Sequence, residues 1–227
     1  MAVSWKSSSE PEGYEAAVAR MEAHIAAMRG GAAEERVWLL EHPALYTAGA
    51  SAKSGDLLDA AALPVHPTGR GGQYTYHGPG QRIAYVMLDL RRRGRDVRAH
   101  VHNLESWLIE VLAGFGIEGR RWQGNIGVWV DRGGGSPAKI AAIGVRVRHW
   151  ITYHGIALNV CPDLGHYRGI VPCGLRGAGV TSLADLGMDA GMAEVDLALH
   201  HCFTTVFDDG EDLRPPLPAE IGARSEE

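Results

Sequence analysis

Two side chains in this 227-residue sequence carry reactive chemistry in unusual surroundings. Cys173 lies in Pro172-Cys173-Gly174, within a polar, glycine-punctuated stretch that offers no packed element to hide a thiol. It reads either as a nucleophile displayed on a turn or as a small buried hydrophobe, which is how most free cysteines behave. Cys161, before Pro162, and Cys202, on the apolar side of a helix, fit the buried reading. Lys139 opens the apolar run Lys-Ile-Ala-Ala-Ile-Gly-Val-Arg-Val in a chain with 19 arginines and 3 lysines. A strand-end lysine snorkelling to water accounts for it. So does a partly desolvated amine that trades a proton with a thiol. In such a pair the ammonium pulls the thiol below its ordinary pKa of about 8.5, and the freed amine later takes or gives protons. Arginine would fail there, because guanidinium keeps its proton at neutral pH.

A second constellation is Arg70-Gly71-Gly72-Gln73-Tyr74-Thr75-Tyr76-His77-Gly78-Pro79-Gly80-Gln81. It is not a phosphate loop, since neither GxxxxGK[ST] nor GxGxxG occurs in it. A tight turn explains Gly71 and Gly72. The density of polar groups between the glycines suits an elongated ligand lying across the segment. Of eleven histidines, His42, His77 and His154 are singled out, each adjoining Gly or Pro, and no HExxH pattern exists. Three cysteines without CxxC spacing make a disulfide framework or a zinc site an unlooked-for outcome, so no metal is expected.

The elements that position these groups follow from periodicity. Residues 9–29 read as a helix, with Ser9 and Glu12 as a capping box and Tyr14, Val18, Met21, Ile25 and Met28 on one face. Strands are expected at 37–40, 83–88, 126–130, 139–147 and 151–160, with a hairpin-type turn at 131–136. Loops are expected at 41–47 and 51–68. Helices are expected at about 100–113 and 193–206, and a mobile tail from about 208. Adjacent strands with separate helices predict an α+β fold, a mixed sheet flanked by helices, in one domain over residues 1–227.

Composition narrows the function. A 45% hydrophobic chain without an 18-residue apolar run predicts no membrane span, and Met1–Val18 has no apolar core typical of a secretion signal, so a cytoplasmic location is expected. A net charge of −5 argues against nucleic acid as a partner. The basic run Arg91, Arg92, Arg93, Arg95 and Arg98 reads as a solvated turn or as a docking patch for an acidic protein.

Five ordered blocks then resemble the lipoate-protein ligase B family of octanoyl-[acyl-carrier-protein]:protein N-octanoyltransferases. They are Glu-His-Pro-Ala-Leu-Tyr-Thr (41–47), the glycine-rich block 70–81, Lys-Ile-Ala-Ala-Ile-Gly (139–144), Thr-Tyr-His-Gly-Ile-Ala-Leu-Asn-Val (152–160), and Pro-Cys-Gly-Leu (172–175) with Gly-Val-Thr-Ser-Leu (179–183). The resemblance implies a fold similar to the biotin and lipoate ligase catalytic domain, Cys173 as nucleophile and Lys139 as its partner. It places acyl-substrate contacts on Arg70, Gly71, Gly72, Gln73, Tyr74, Thr75, Tyr76 and His77, on Ala142, Ile143 and Gly144, and on Gly155, Ile156 and Ala157; His42 and His154, singled out above by their neighbours, are expected to play supporting parts. It implies no cofactor, octanoyl-acyl carrier protein as donor, and lipoyl domains of 2-oxoacid dehydrogenase E2 subunits and the glycine-cleavage H protein as acceptors. Tyr74 and Ser136-Pro137-Ala138 depart from the family pattern and bear on pocket shape. The rival readings are an ATP-dependent lipoate or biotin ligase and a non-catalytic carrier-binding module.

Overall fold

The computed structural model describes residues 3–133, 137–174 and 178–207, with Cys173 described by its backbone alone. The expected tail from 208 and part of the 131–136 turn lie outside the described residues. In chain order the elements are β1 (Ser4–Ser7), α1 (Tyr14–Arg29), β2 (Arg36–Leu40), β3 (Leu45–Ala48), β4 (Val65–Pro67), β5 (Tyr74–His77) and β6 (Gln81–Met87). There follow α2 (Val97–Gly114), β7 (Gly119–Trp122), β8 (Asn125–Val130), β9 (Ala138–Arg148), β10 (Ile151–Asn159), β11 (Gly179–Val180) and α3 (Met192–Phe207).

The larger sheet runs β1-β2-β6-β10-β9-β8-β7, with β11 added in parallel on β9. A smaller sheet runs β4-β3-β5. This is the α+β architecture, a mixed sheet flanked by helices. On one face of the large sheet, Val37, Ala84, Val86, Val128, Ile140, Ile156 and Leu158 pack against α2 and α3, where Trp107 is fully buried and donates its indole N–H to the Leu199 carbonyl at 2.8 Å. On the other face Trp38, Leu40, Ile83, Tyr85, Tyr153 and Ala157 meet Met21, Ile25 and Met28 of α1. Burying apolar surface on both faces, at about 25 cal/mol per Å², makes the central strands the rigid floor of the molecule.

Three expectations are corrected. The first helix begins at Tyr14 rather than at residue 9, because the Glu12 N–H is committed to the Glu41 carbonyl at 2.8 Å and its carboxylate to Ser8 and Arg20, so no capping box forms and Gly13 is the N-cap. Cys161 is exposed rather than buried, and Cys202 is half-buried. The 41–47 and 51–68 loops contain β3 and β4, too short to show alternation. In the arginine run, Arg91 grips the Asp89 carboxylate and Arg93 the buried Glu35, so these two brace the link between β6 and α2. No helix among the described residues is long and apolar enough to cross a membrane.

Candidate active site

A cleft of about 330 Å³ opens where the large sheet loses its regular pairing. The ladder between β8 and β9 ends at Val128↔Ala141, and beyond it the glycine-rich loop takes over, with the Gly71 N–H donating to the Val145 carbonyl at 2.9 Å. Cleft-facing positions on the floor are small: Ala142 pairs with Ala157 and Gly144 with Gly155. Arg70 crosses above Gly144, where a Cβ would stand 2.8 Å from its Cδ. Ile83, Ile143 and Ile156 supply apolar wall. The shape suits a slender, largely apolar chain.

Lys139 sits at one end, only 6% exposed. Its Nζ donates to the Ile126 carbonyl at 2.9 Å and lies 4.5 Å from the centroid of the Trp129 ring, a cation–π arrangement. The amine is therefore held inside the cleft rather than snorkelling to water.

The turn bearing Cys173, Pro172–Gly174, has bonded residues before and after it in the chain. Before it, the Val171 N–H donates to the Asp56 carbonyl at 2.7 Å. Within it, Gly174 has φ +69°, a conformation that favours glycine, and the absent Cβ leaves room for the side-chain amide of Gln73. After it, Val180 pairs with Lys139 and the Thr181 N–H donates to the Lys139 carbonyl at 3.0 Å.

The other end is a closed polar network. The Arg70 guanidinium donates to the carbonyls of Gly71, Thr47 and Gln73, each at 2.9 Å, and to Thr47 Oγ1 at 2.6 Å. Gln81 spends its amide N–H groups on Asn159 Oδ1, Tyr167 and the Tyr76 carbonyl, so its Oε1 is the acceptor for His77 Nδ1–H at 2.7 Å. His77 Nε2 then faces the Thr47 hydroxyl at 3.3 Å. With both ring nitrogens engaged, His77 is not free to donate to an oxyanion. His42 donates from Nδ1 to the Glu12 carbonyl at 2.6 Å and accepts the Tyr85 hydroxyl on Nε2 at 2.8 Å. Burial, then the nearby His42 and Arg70 charges, push His77 well below the ordinary histidine range. Burial and Arg70 push His154 down to about 3. Burial lowers His42 as well and raises the Tyr85 phenol. At neutral pH all three imidazoles are uncharged, and the Arg70 cation acts on two of them, His77 and His154.

Arg70, Gly71, Gly72, Gln73, Tyr74, Thr75, His77, Lys139, Ala142, Ile143, Gly144, His154, Gly155, Ile156 and Ala157 all line the cleft. Tyr76 does not: alternation on β5 turns its ring toward Tyr46, His166 and Tyr167 behind the small sheet. His42 stands one layer back, 5.9 Å between ring centroids from His77 and linked through Tyr85 to the cleft. His154 reaches the cleft through a left-handed conformation, φ +59°, that costs a non-glycine residue on the order of 1 kcal/mol. Sequence reasoning missed Tyr14 and Tyr85, which line the cleft but read as core members of a helix stripe and an apolar strand. Among the described residues no cluster of three or more metal-ligating side chains occurs.

A mixed sheet, a glycine-rich strap over its small-residue floor, a buried lysine and a cysteine on a tight turn define a class that comparison makes explicit. The family described as the lipoyl protein ligase A/B catalytic domain matches residues 13–204, and the chain belongs to it. Octanoyltransferases from Paramagnetospirillum magneticum and Rhodospirillum rubrum are 62% and 61% identical, covering 90% and 89% of this chain and 97% and 94% of theirs. With relatives this similar over nearly the whole chain, the protein is an acyltransferase. Among solved structures, a putative lipoate protein ligase from Thermoplasma acidophilum with bound lipoic acid superposes with a TM-score of 0.72 at 16% identity, covering 92% of this chain and 87% of that one. Lipoate-protein ligase A bound with ATP gives 0.70 at 16% identity, covering 92% and 86%. These two show the shared fold.

Proposed function

We propose that the chain transfers an octanoyl or lipoyl group to a protein lysine through a thioester on Cys173, with Lys139 carrying the proton. The carrying observation is placement: Gly174 of the cysteine turn stands against the Gln73 side chain in the cleft wall, and β11, the strand after the turn, pairs with β9 at Lys139. The resting pair is a Cys173 thiolate and a Lys139 ammonium. The thiolate attacks the thioester carbonyl of octanoyl-acyl carrier protein, the bond to the phosphopantetheine sulfur breaks, and that sulfur takes a proton from Lys139. The lysine amine of a lipoyl domain, from a 2-oxoacid dehydrogenase E2 subunit or the glycine-cleavage H protein, then attacks the acyl-cysteine. Lys139 takes its proton, and the Cys173 thiolate departs, restoring the starting pair. Exchange of thioester for thioester is near balance and amide formation is downhill, so no ATP is consumed.

The octanoyl chain lies along Ala142, Ile143, Gly144, Gly155, Ile156 and Ala157 beneath Arg70–Thr75. Each buried methylene contributes about 0.8 kcal/mol, enough to reject much shorter chains. The Gln73 amide, packed on Gly174, is placed to donate to the oxyanion. Both protein partners imply a cytoplasmic setting. Mixing the protein with octanoyl-acyl carrier protein and weighing it intact tests the scheme. A gain of one octanoyl group on the wild type, absent in Cys173→Ala, is expected. A wild type that turns over without ever gaining that mass overturns the covalent route.

A further inference from the structure

Glu105 is a carboxylate on the buried face of α2, four residues after Val101 and three before Leu108, where an apolar side chain is the rule. It reaches across to β8. Its Oε1 accepts the Gly127 N–H at 3.1 Å, and its Oε2 pairs with Arg121 Nε at 3.0 Å. The Gly127 N–H and the Ile126 carbonyl belong to one peptide unit, and that carbonyl accepts Lys139 Nζ at 2.9 Å. In a trans peptide the N–H and C=O point in opposite directions. A single amide plane therefore joins a buried carboxylate to the Lys139 amine, its positive end toward Glu105 and its negative end toward Lys139. Hydrogen bonds in such a chain polarise one another.

The surrounding backbone is shaped to hold that plane. Gly127 has φ +123°, and a Cβ on it would stand 2.7 Å from the Ala141 carbonyl and 3.2 and 3.3 Å from Lys139 Cε and Nζ. The β8–β9 register shifts at the next residues, Val128 and Trp129. On the opposite side of the amine, the Trp129 ring is itself pinned, its indole N–H donating to the Asn125 carbonyl at 3.1 Å and its face meeting Trp122 edge-on at 4.6 Å.

We propose that Glu105 is a positioning residue for Lys139: through the Ile126–Gly127 peptide it holds the amine in the cleft, with Trp129 as the opposing support. This rests on the reading of Lys139 as the proton carrier. The alternative is that Glu105 only ties α2 to β8.

The test uses the full chain with octanoyl-acyl carrier protein and a lipoyl domain, measuring kcat, KM and the melting temperature. Lys139→Ala comes first. Full activity there overturns the reading of Lys139 itself, before Glu105 is touched. Given an impaired Lys139→Ala, Glu105→Ala is expected to lower kcat about 100-fold, the scale of a misplacement near 1 Å, with KM for the carrier unchanged. Glu105→Gln, which keeps an acceptor for the Gly127 N–H, should recover kcat to within about tenfold of wild type on the same scale. Arg121→Ala loosens the same helix–strand tie but leaves that bond, and should turn over normally. Adding Glu105→Ala to Lys139→Ala should lower the residual rate no further, because the two act as one unit. Should Glu105→Ala fail to fold, Gly127→Ala, which crowds the amine directly, carries the same expected loss. Wild-type kcat in the folded Glu105→Ala or Gly127→Ala protein overturns the proposal. So does an equal Arg121→Ala defect, or a full Glu105→Ala effect in the Lys139→Ala background.

Discussion

The two ends of the cleft are polar in opposite ways. At the Lys139 end one amine is held by a carbonyl and an aromatic face, and in the proposed mechanism its proton is the one that moves. At the Arg70 end every observed role is fixed: a guanidinium that keeps its charge, with neutral imidazoles whose tautomers are set by Gln81 and the Glu12 carbonyl. On the proposed mechanism, buried polarity serves chemistry at one end and shape at the other. Chemical substitutions should therefore separate rate from stability according to the end they touch.

The largest expected effect tests the mobile end. Lys139→Arg retains charge but cannot release a proton at neutral pH. It should reduce kcat by about 1,000-fold, within the range for loss of a general acid–base group, with folding and carrier KM intact. Near-normal turnover would show that charge alone suffices there, and the contrast between the ends would collapse.

Next is Arg70→Lys at the fixed end, which loses the planar fork that bonds Thr47, Gly71 and Gln73. Urea unfolding should report a loss of about 3 kcal/mol, as for other broken buried networks. An unchanged midpoint would mean the network does not hold the small sheet to the large one.

A smaller effect follows from pH. His42, His77 and His154 are depressed in the folded protein, so below about 6.5 the unfolded chain binds more protons and stability falls as pH falls. For His154, down to about 3, the loss runs on until near that pH, at up to about 1.4 kcal/mol per unit. Unfolding midpoints between pH 7 and 5 should decline, and His154→Gln should flatten the slope. An identical slope in that variant would assign the acid sensitivity elsewhere.

Smallest is Tyr85→Phe, which removes the hydroxyl that His42 Nε2 accepts. About 1 kcal/mol of stability should go, with turnover nearly unchanged. A collapse of kcat instead would give the fixed end a chemical role.

Much of this was readable from sequence where the pattern is long. The stripe Val101, Leu104, Trp107, Leu108, Val111 announced α2, and the apolar runs of β9 and β10 announced the floor, because each spans several periods. The small sheet was not readable: β3 and β4 have four and three residues, and β4 ends on a proline. Family-like blocks led to the glycine-rich strap, yet which face each residue took depended on register, and so Tyr76 fell outside the cleft. His42, His77 and His154 adjoin glycine or proline, but their meeting depends on strands far apart in the chain. Glu105 did carry a signal, a charge placed on an apolar stripe, which only the partner strand could interpret.

The glycine-rich strap has a consequence for how the molecule breathes. Around it the amides of Gly49, Ala50 and Ser51 donate to the carbonyls of Gln73, Arg70 and Gly72, and Gly71 donates to Val145. A segment with the composition of a loop is thus laced to both sheets like a strand. The amide protons of Gly49, Ala50, Ser51 and Gly71 should exchange with solvent far more slowly than those of an open loop, so the cleft stays roofed through local fluctuations.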